Sequence, residues 1–342
     1  MSALCCGLLA GATPPSTGRV GLVCDARYQQ HDTGPGHPES AARLDAIDRA
    51  LAAAGLKPRL QLLPPRVCEE KWILAAHGAD YLQLVKEAVA QGRSSLPTGD
   101  TPISAGSLDA ARLAAGGVLA ACDAVISGRV QSAFCAVRPP GHHATANRGM
   151  GFCVFNNVAI AARYLRQQHG LERILIVDWD VHHGNGTYDI FKQDPHVFQF
   201  HLHQSPLYPG TGRREEQGEG PGKGFTINNP LPAGAGLKEI LPLFKEKLLP
   251  AMASFKPQFI LISAGFDAHE ADPLGGLKLT TADYARLTHL VCDLAERHAH
   301  GRVVAVLEGG YNLTALGASV AAHLQALADR AEKTGAPATT QP

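Results

Sequence analysis

The sequence predicts an α/β fold, a single domain with a central, mostly parallel β-sheet flanked by helices. Short β-branched apolar runs alternate with longer alanine- and leucine-rich segments along the chain, a pattern typical of repeated strand–helix units. No internal repeat and no linker rich in proline, glycine or serine divides the 342 residues. We therefore expect one domain over residues 19–331, a flexible extension at 1–18 and a disordered tail at 332–342.

Six apolar runs predict the strands, because each is short and rich in valine, isoleucine or phenylalanine. They lie at residues 20–24, 132–137, 173–181, 197–202, 258–263 and 302–307. Helices are predicted between them, where alanine and leucine recur over longer stretches. These segments are 40–54, 107–127, 156–169, 237–252, 281–298 and 313–331.

The composition excludes several classes of protein. Lysine plus arginine equals aspartate plus glutamate at 31 each, which argues against a broad nucleic-acid surface. The eight cysteines form no C-x-x-C pair, so we expect reduced thiols in a cytoplasmic protein. The apolar start of the chain is too short to cross a bilayer. We therefore expect no membrane partner; a cleaved signal is the alternative interpretation of that start.

Polar residues gather directly after the predicted strands. They lie at 138–143, 178–185, 201–203, 267–269 and 308–311. In open α/β sheets the ligand crevice lies beyond the carboxyl ends of the strands. The five groups are therefore expected to converge on one site.

The strongest chemical signal is the run I-L-I-V-D-W-D-V-H-H-G-N-G-T. Asp178, Asp180 and His182 alternate, so a strand would project all three to one face. A second aliphatic strand leads to Asp267 in the same way. Asp180, His182 and Asp267 make a three-ligand set with room for water, as a catalytic zinc site needs. The alternative is a capping aspartate and a surface histidine in an ordinary loop.

The run R-P-P-G-H-H-A places His142 and His143 side by side. Two imidazoles can divide base and acid duties near neutral pH. Asp178 and Asn185 are the natural acceptors for their Nδ1 atoms. Because a carboxylate raises the pKa of its partner and an amide does not, the two histidines should differ in charge. A solvent-exposed pair is the alternative.

The run L-E-G-G-Y ends in Tyr311, and Gly309 and Gly310 give the backbone the freedom to place it. Beside a Lewis-acidic metal, a tyrosine hydroxyl can donate to the oxyanion of a tetrahedral intermediate. Alone, this run is also compatible with a structural tyrosine.

Together these runs resemble the ordered signature of the histone-deacetylase superfamily. The shared motifs include G-H-P-E-S-x-x-R-L, R-P-P-G-H-H-A, G-F-C-V-F-N-N, D-W-D-V-H-H-G-N-G-T, S-A-G-F-D-A-H and L-E-G-G-Y-N, and they span about residues 20–330. The details are similar to the class II branch and its bacterial relatives. The resemblance implies an arginase/deacetylase-like fold, an acyl-lysine tunnel and one zinc ion. By ligand softness alone, iron(II) or manganese would also suit two aspartates and a histidine.

The resemblance also implies a role for individual residues. Asp180, His182 and Asp267 would bind zinc. His142, His143 and Tyr311 would be catalytic, supported by Asp178 and Asn185. The substrate would be bound by Gly151, Phe152, Tyr208, Leu274 and Gly310. One potassium site would use Asp178, Asp180, His182, His201 and Leu202, and a second would use Phe191, Asp194, Val197 and Phe225.

These features predict a zinc-dependent deacylase that hydrolyses acyl-lysine side chains, most of all acetyl-lysine. The neutral histidine would take a proton from water, and His143 would protonate the leaving amine while His142 acts electrostatically. The main alternative is an amidohydrolase of acetylpolyamines or other small acylated amines. Leu274 favours lysine substrates, because the polyamine-selective relative in class II has a glutamate there. An arginase-like ureohydrolase and a catalytically silent acyl-lysine reader are further alternatives.

Overall fold

The computed structural model describes residues 19–335 and forms an α/β structure around one parallel sheet. The strands are β1 Val20–Val23, β2 Leu60–Leu62, β3 Ser132–Cys135, β4 Ile174–Asp178, β5 Val197–Gln204, β6 Thr226–Leu231, β7 Phe259–Ala264 and β8 Val303–Leu307. Their order across the sheet is β2-β1-β3-β8-β7-β4-β5-β6. Every pairing between them is parallel, so the predicted fold class is confirmed.

The central strands are those that the apolar runs predicted. Every residue of β4 and β7 is buried, because helices cover both faces of the sheet. The sequence did not predict β2 and β6, which lie at the two edges. β2 has three residues, and β6 reads T-I-N-N-P-L. Proline and asparagine disfavour strands, and proline is tolerated mainly at an edge.

Helices form a layer on each face of the sheet. They are α1 Ala42–Ala53, α2 Glu70–Ile73, α3 Ala79–Ala90, α4 Ser107–Ile126, α5 Asn157–His169, α6 Asn185–Phe191, α7 Leu237–Leu243, α8 Leu249–Phe255, α9 Thr281–His298 and α10 Leu313–Gly335. Side chains from α1, α9 and α10 build one apolar core against the sheet, and those from α2 to α5 build the other. The loops at the carboxyl ends of the strands are left to form a site.

Most predicted boundaries differ slightly from the observed ones, and the ends of three elements differ most. The strand predicted at 173–181 ends at Asp178. The helix predicted at 237–252 is interrupted by a π-helical turn, Phe244–Leu248, and ends at Phe255. Helix α10 continues to Gly335, past the predicted domain end at 331. The predicted extension 1–18 and most of the predicted tail, 336–342, lie outside the described residues.

Between residues 19 and 335, no helix is long and apolar enough to cross a membrane.

Candidate metal centre and active site

Loops that follow β4 and β7 carry the three predicted metal ligands. The strand alternation proposed for 178, 180 and 182 is wrong, because Asp180 and His182 lie beyond the end of β4. Two side-chain-to-backbone hydrogen bonds shape this loop instead. The Asp180 N–H donates to Asp178 Oδ1 at 3.1 Å, and the His182 N–H donates to Asp180 Oδ1 at 2.9 Å. Such bonds stabilise a tight turn in place of extended backbone.

Asp180, His182 and Asp267 converge at one point. One ligand atom from each lies within 4.8 Å of the others. His182 Nδ1 lies 3.0 Å from Asp180 Oδ1 and 3.2 Å from Asp267 Oδ2. The buried Asp267 Oδ2 has no hydrogen-bond partner among the described residues. A buried carboxylate oxygen without a donor is costly unless a cation binds it, so this donor set fits a metal ion.

The electrostatics of the three side chains lead to the same conclusion. Burial and the neighbouring Asp180 carboxylate raise the pKa of Asp267 to about 7. Burial opposes a charge on His182, but Asp180 and Asp267 outweigh it and raise the pKa of His182 to about 10. Two carboxylates packed this closely favour a positive charge beside them, from a charged His182 or from a bound cation. Two oxygens and one nitrogen in a three-residue set suit a zinc ion with an open position.

The two neighbouring histidines contact different partners. The His142 Nδ1 lies 3.0 Å from Asp178 Oδ2, and the His143 Nδ1 lies 2.7 Å from Asn185 Oδ1. The ring centroids of the pair are 4.0 Å apart, and His143 also faces the His182 ring at 5.8 Å. The pair therefore borders the candidate metal ligands, and His142 Nε2 lies 3.8 Å from Asp180 Oδ2.

Their environments separate the charges of the pair. Burial disfavours a charge on both rings, but the Asp180 and Asp178 carboxylates raise the pKa of His142 well above its ordinary value. Burial and the positive charges of His142 and His182 lower the pKa of His143 well below its ordinary value. A neutral His143 beside a charged His142 can exchange a proton with a substrate.

The Tyr311 loop is held from both sides. The Arg43 guanidinium donates to the carbonyls of Gly310 at 2.8 Å and Glu308 at 2.5 Å, and it lies 5.2 Å from the Tyr311 ring centroid. On the other side, the carboxylate of Asp272 accepts the Tyr311 N–H. Gly310 has a φ of +123°, which a residue with a side chain rarely adopts.

Aromatic side chains line the approach to the site. The Phe152 ring meets Tyr311 edge to face with centroids 6.1 Å apart, and the Tyr208 ring lies 5.2 Å from His143. Gly151 precedes Phe152, and both have positive φ. A Cβ at Gly151 would lie 2.2 Å from the His143 ring, so glycine permits this close approach.

Sequence reasoning assigned no role to three acidic side chains around the site. Asp100 accepts hydrogen bonds from the Gly151 N–H at 2.7 Å and the Tyr208 hydroxyl at 3.4 Å. Glu308 accepts the backbone N–H groups of Gly141 and His142. Asp272 supports the loop that carries Tyr311. Glu308 stands in the L-E-G-G-Y run and Asp272 follows Asp267 closely, but nothing around Asp100 marks it.

Leu274 lies half-buried in the loop after Asp267. Its N–H donates to Asp272 Oδ1 at 3.0 Å. A Cβ at the next residue, Gly275, would lie 2.6 Å from the Asp267 carbonyl and 2.8 Å from Val181. The loop that carries Leu274 is therefore packed directly beside Asp267, a candidate metal ligand.

The nearer group predicted for potassium surrounds Asp178 with nitrogen as well as oxygen atoms. Asp178 Oδ1 already accepts an N–H, and Oδ2 faces two imidazole nitrogens, His142 Nδ1 at 3.0 Å and His201 Nδ1 at 3.5 Å. Hard cations prefer oxygen ligands, and the buried side chain of His201 offers nitrogen. Leu202 is buried beside it in β5.

The farther group offers backbone oxygen. The carbonyls of Phe191, Asp194 and Phe225 each accept one backbone N–H, from Asp194, Val197 and Gln199 respectively. A carbonyl has two lone pairs, so each can bind a cation as well.

Comparisons with known proteins agree on one family. A family profile described as "Histone deacetylase domain" matches residues 37–327. A protein of Archaeoglobus fulgidus named "Probable deacetylase" is 43% identical over 296 residues, covering 86% of this chain and 82% of that protein. A "Histone deacetylase-like amidohydrolase" of Pseudomonas aeruginosa is 40% identical over 286 residues, covering 83% and 75%. A solved structure titled "Crystal Structure of HDA15 HD domain" superposes with a TM-score of 0.85 at 36% identity, covering 94% of this chain and 91% of the other.

Proposed function

Because this chain belongs to the histone deacetylase family and is a hydrolase acting on amides, we propose that it is a zinc-dependent deacylase of acyl-lysine side chains. Acetyl-lysine in a peptide or protein is the preferred substrate. The observation that carries the proposal is the grouping of three side chains that could hold a metal ion, bordered by the His143 ring at 5.8 Å from His182. Burial raises the pKa of Tyr311, and Tyr311 lies close enough to the Asp267 and Asp180 carboxylates for them to raise its pKa further. We assign the catalytic domain to residues 19–331, and α10 continues it to Gly335.

Asp180, His182 and Asp267 would hold one zinc ion, which supplies a Lewis acid that polarises the amide carbonyl and makes water more acidic. His143 acts as the base. Its Nδ1–H donates to Asn185 Oδ1, so its Nε2 is free to take a proton from water and return it to the leaving amine. His142 is held against Asp178 and stabilises negative charge. The hydroxyl of Tyr311 donates to the oxyanion that forms on the carbonyl.

The rim around Leu274 supports a lysine substrate in a polypeptide. Leucine offers a flank for apolar side chains and no charge for a polyamine ammonium. A carboxylate at this place would attract an ammonium by about 1–2 kcal/mol, which is roughly tenfold in affinity.

The test compares kcat/KM for an acetyl-lysine peptide and for N-acetylspermidine. We expect the peptide to be preferred by the wild type, and Leu274→Glu to move the ratio toward the polyamine by about tenfold. Leu274→Gln is the matched control, because it adds polarity without charge. A wild-type preference of tenfold or more for the acetylated polyamine contradicts the proposal.

A second candidate, an acetylpolyamine amidohydrolase, is favoured by one observation. The exposed Asp100 contacts Tyr208 and Gly151 at the approach to the site, and its carboxylate can attract a cationic amine. If Asp100→Asn lowers kcat/KM for N-acetylspermidine tenfold and leaves the peptide unchanged, the second candidate gains support.

For potassium, we propose that the farther group binds more tightly than the nearer one, because backbone carbonyls supply its oxygen. Potassium analysis after dialysis against KCl tests this proposal. His201→Ser, which replaces the imidazole by a hydroxyl oxygen, should strengthen binding at the nearer group.

A further inference from the structure

Asp272 is a buried carboxylate whose hydrogen bonds all end on loops of the site. Only 6% of the surface of Asp272 is exposed. Oδ2 accepts the N–H of Tyr311 at 2.6 Å and the N–H of Asn312 at 3.1 Å, and Oδ1 accepts the N–H of Leu274 at 3.0 Å. One carboxylate therefore joins the loop that carries Tyr311 to the loop that carries Leu274.

The Tyr311 loop needs such a partner. Gly309 and Gly310 precede the tyrosine, and glycine restricts the backbone least. Arg43 binds carbonyls before Tyr311, whereas Asp272 binds N–H groups at Tyr311 and after it. Hydrogen bonds to an ionised acceptor are stronger than those between neutral groups, so the two charged side chains together define where the tyrosine stands.

We propose that Asp272 is a positioning residue that fixes the Tyr311 hydroxyl for catalysis and holds the Leu274 loop against it. This role rests on the proposed function of Tyr311 as the donor to the oxyanion. Asp272 touches no reacting atom, and it acts through the backbone of Tyr311. A displacement of about 1 Å at a reacting group can cost up to roughly 10²-fold in rate, and that is the effect Asp272 prevents.

Asp272→Asn is the informative substitution. An amide keeps one acceptor oxygen, but its NH₂ group must face one of the three N–H groups that the carboxylate now binds. We expect kcat to fall about tenfold or more with zinc retained. Asp272→Glu keeps the carboxylate and should recover part of the loss.

A double-mutant cycle with Tyr311→Phe distinguishes positioning of the tyrosine hydroxyl from a general effect of Asp272 on the stability of the fold. If Asp272 acts through the tyrosine hydroxyl, Asp272→Asn should cost less than about twofold in the Tyr311→Phe protein. The same tenfold loss in both backgrounds overturns the proposal. Asp283→Asn is the matched control, because the Asp283 carboxylate also binds an N–H, that of Thr280, but at the start of α9. It should lower thermal stability and leave kcat unchanged.

The wild type, Asp272→Asn, Tyr311→Phe and the double variant should also be compared by the affinity of a hydroxamate, measured calorimetrically with zinc bound. Binding needs no turnover, so this cycle decides the role of Asp272 even if the assigned substrate is wrong. Non-additive losses from Asp272→Asn and Tyr311→Phe support the proposal, and additive losses contradict it. Failure of the substrate assignment would appear separately, as an inactive wild type that still binds the hydroxamate.

Discussion

The edge of the sheet formed by the amino ends of the strands differs in chemistry from the edge formed by their carboxyl ends. Before β4, β5 and β6 lies a cavity of about 660 Å³ that is lined by Phe198, Phe225 and Phe255. The ring centroid of Phe255 lies 5.4 Å from that of Phe198 and 6.0 Å from that of Phe225. Beyond the carboxyl ends lie buried carboxylates and imidazoles that contact one another.

The comparison shows that volume alone does not locate the chemistry. The aromatic cavity presents apolar carbon, and charged residues such as Glu172 and Arg173 stand at its border. At the other edge, Asp267 has a carboxylate oxygen without a donor among the described residues. In this protein a cluster of buried charged groups is therefore a better guide to the candidate site than the volume of a cavity.

The largest effect is expected from the metal ligands. Replacing Asp180, His182 or Asp267 by alanine should abolish activity and lower bound zinc below one per chain, because each supplies one of three ligands. Zinc analysis and a fluorogenic acetyl-lysine peptide measure both. Glu172→Ala at the opposite edge is the control and should change neither. Full activity in a zinc-free Asp267→Ala protein would refute the metal assignment.

Removing the Tyr311 hydroxyl should have the next largest effect. We expect Tyr311→Phe to lower kcat by about 10²–10³-fold, the cost of one oxyanion donor, while zinc is retained. Tyr164→Phe is the matched control, because it also removes only a hydroxyl, one that donates to Asp123 away from the site, and it should leave kcat unchanged. A loss below about threefold in Tyr311→Phe would show that this tyrosine is structural.

The two histidines should differ in a measurable way. We expect His143→Ala to lower kcat at least tenfold more than His142→Ala, since proton transfer contributes about 10²–10⁴-fold and an electrostatic role is partly replaceable. The Nδ1 partners, Asn185 for His143 and Asp178 for His142, are the structural basis of this difference. Equal losses and equal pH–rate profiles would contradict the division of labour.

The sequence predicted the elements whose structure depends on their own residues, and it missed those that depend on distant contacts. The runs around β4 and β7 predicted central strands, because burial on both faces demands apolar residues throughout. The edge strand β6 was missed because Asn228, Asn229 and Pro230 have low strand propensity. The strand β6 forms because it pairs with β5, and the residues of β6 alone do not reveal that pairing.

The candidate site shows the same division. The sequence motifs identified Asp180, His182 and Asp267 as candidate ligands. The explanation by strand alternation was wrong, because turn-forming hydrogen bonds shape the loop after β4. Asp272 and Asp100 were missed, because their importance comes from backbone groups that lie distant in sequence. Asp272 is 39 residues from Tyr311, and Asp100 is 51 residues from Gly151. Only the folded chain brings these groups together.

The smallest effect is expected from filling the aromatic cavity. Ala251 lies on α8 and lines this cavity, so Ala251→Leu would place a larger apolar side chain against the phenylalanine rings. Burying that side chain should stabilise the fold by about 1 kcal/mol, a rise in Tm of roughly 1–3 °C. Ala251→Asp should lower Tm instead, because a carboxylate is costly there. Both variants should keep kcat/KM within about twofold, because the reacting groups stand at the opposite edge. A tenfold loss of activity in folded, zinc-loaded Ala251→Leu would show that the two edges are coupled and would end the comparison.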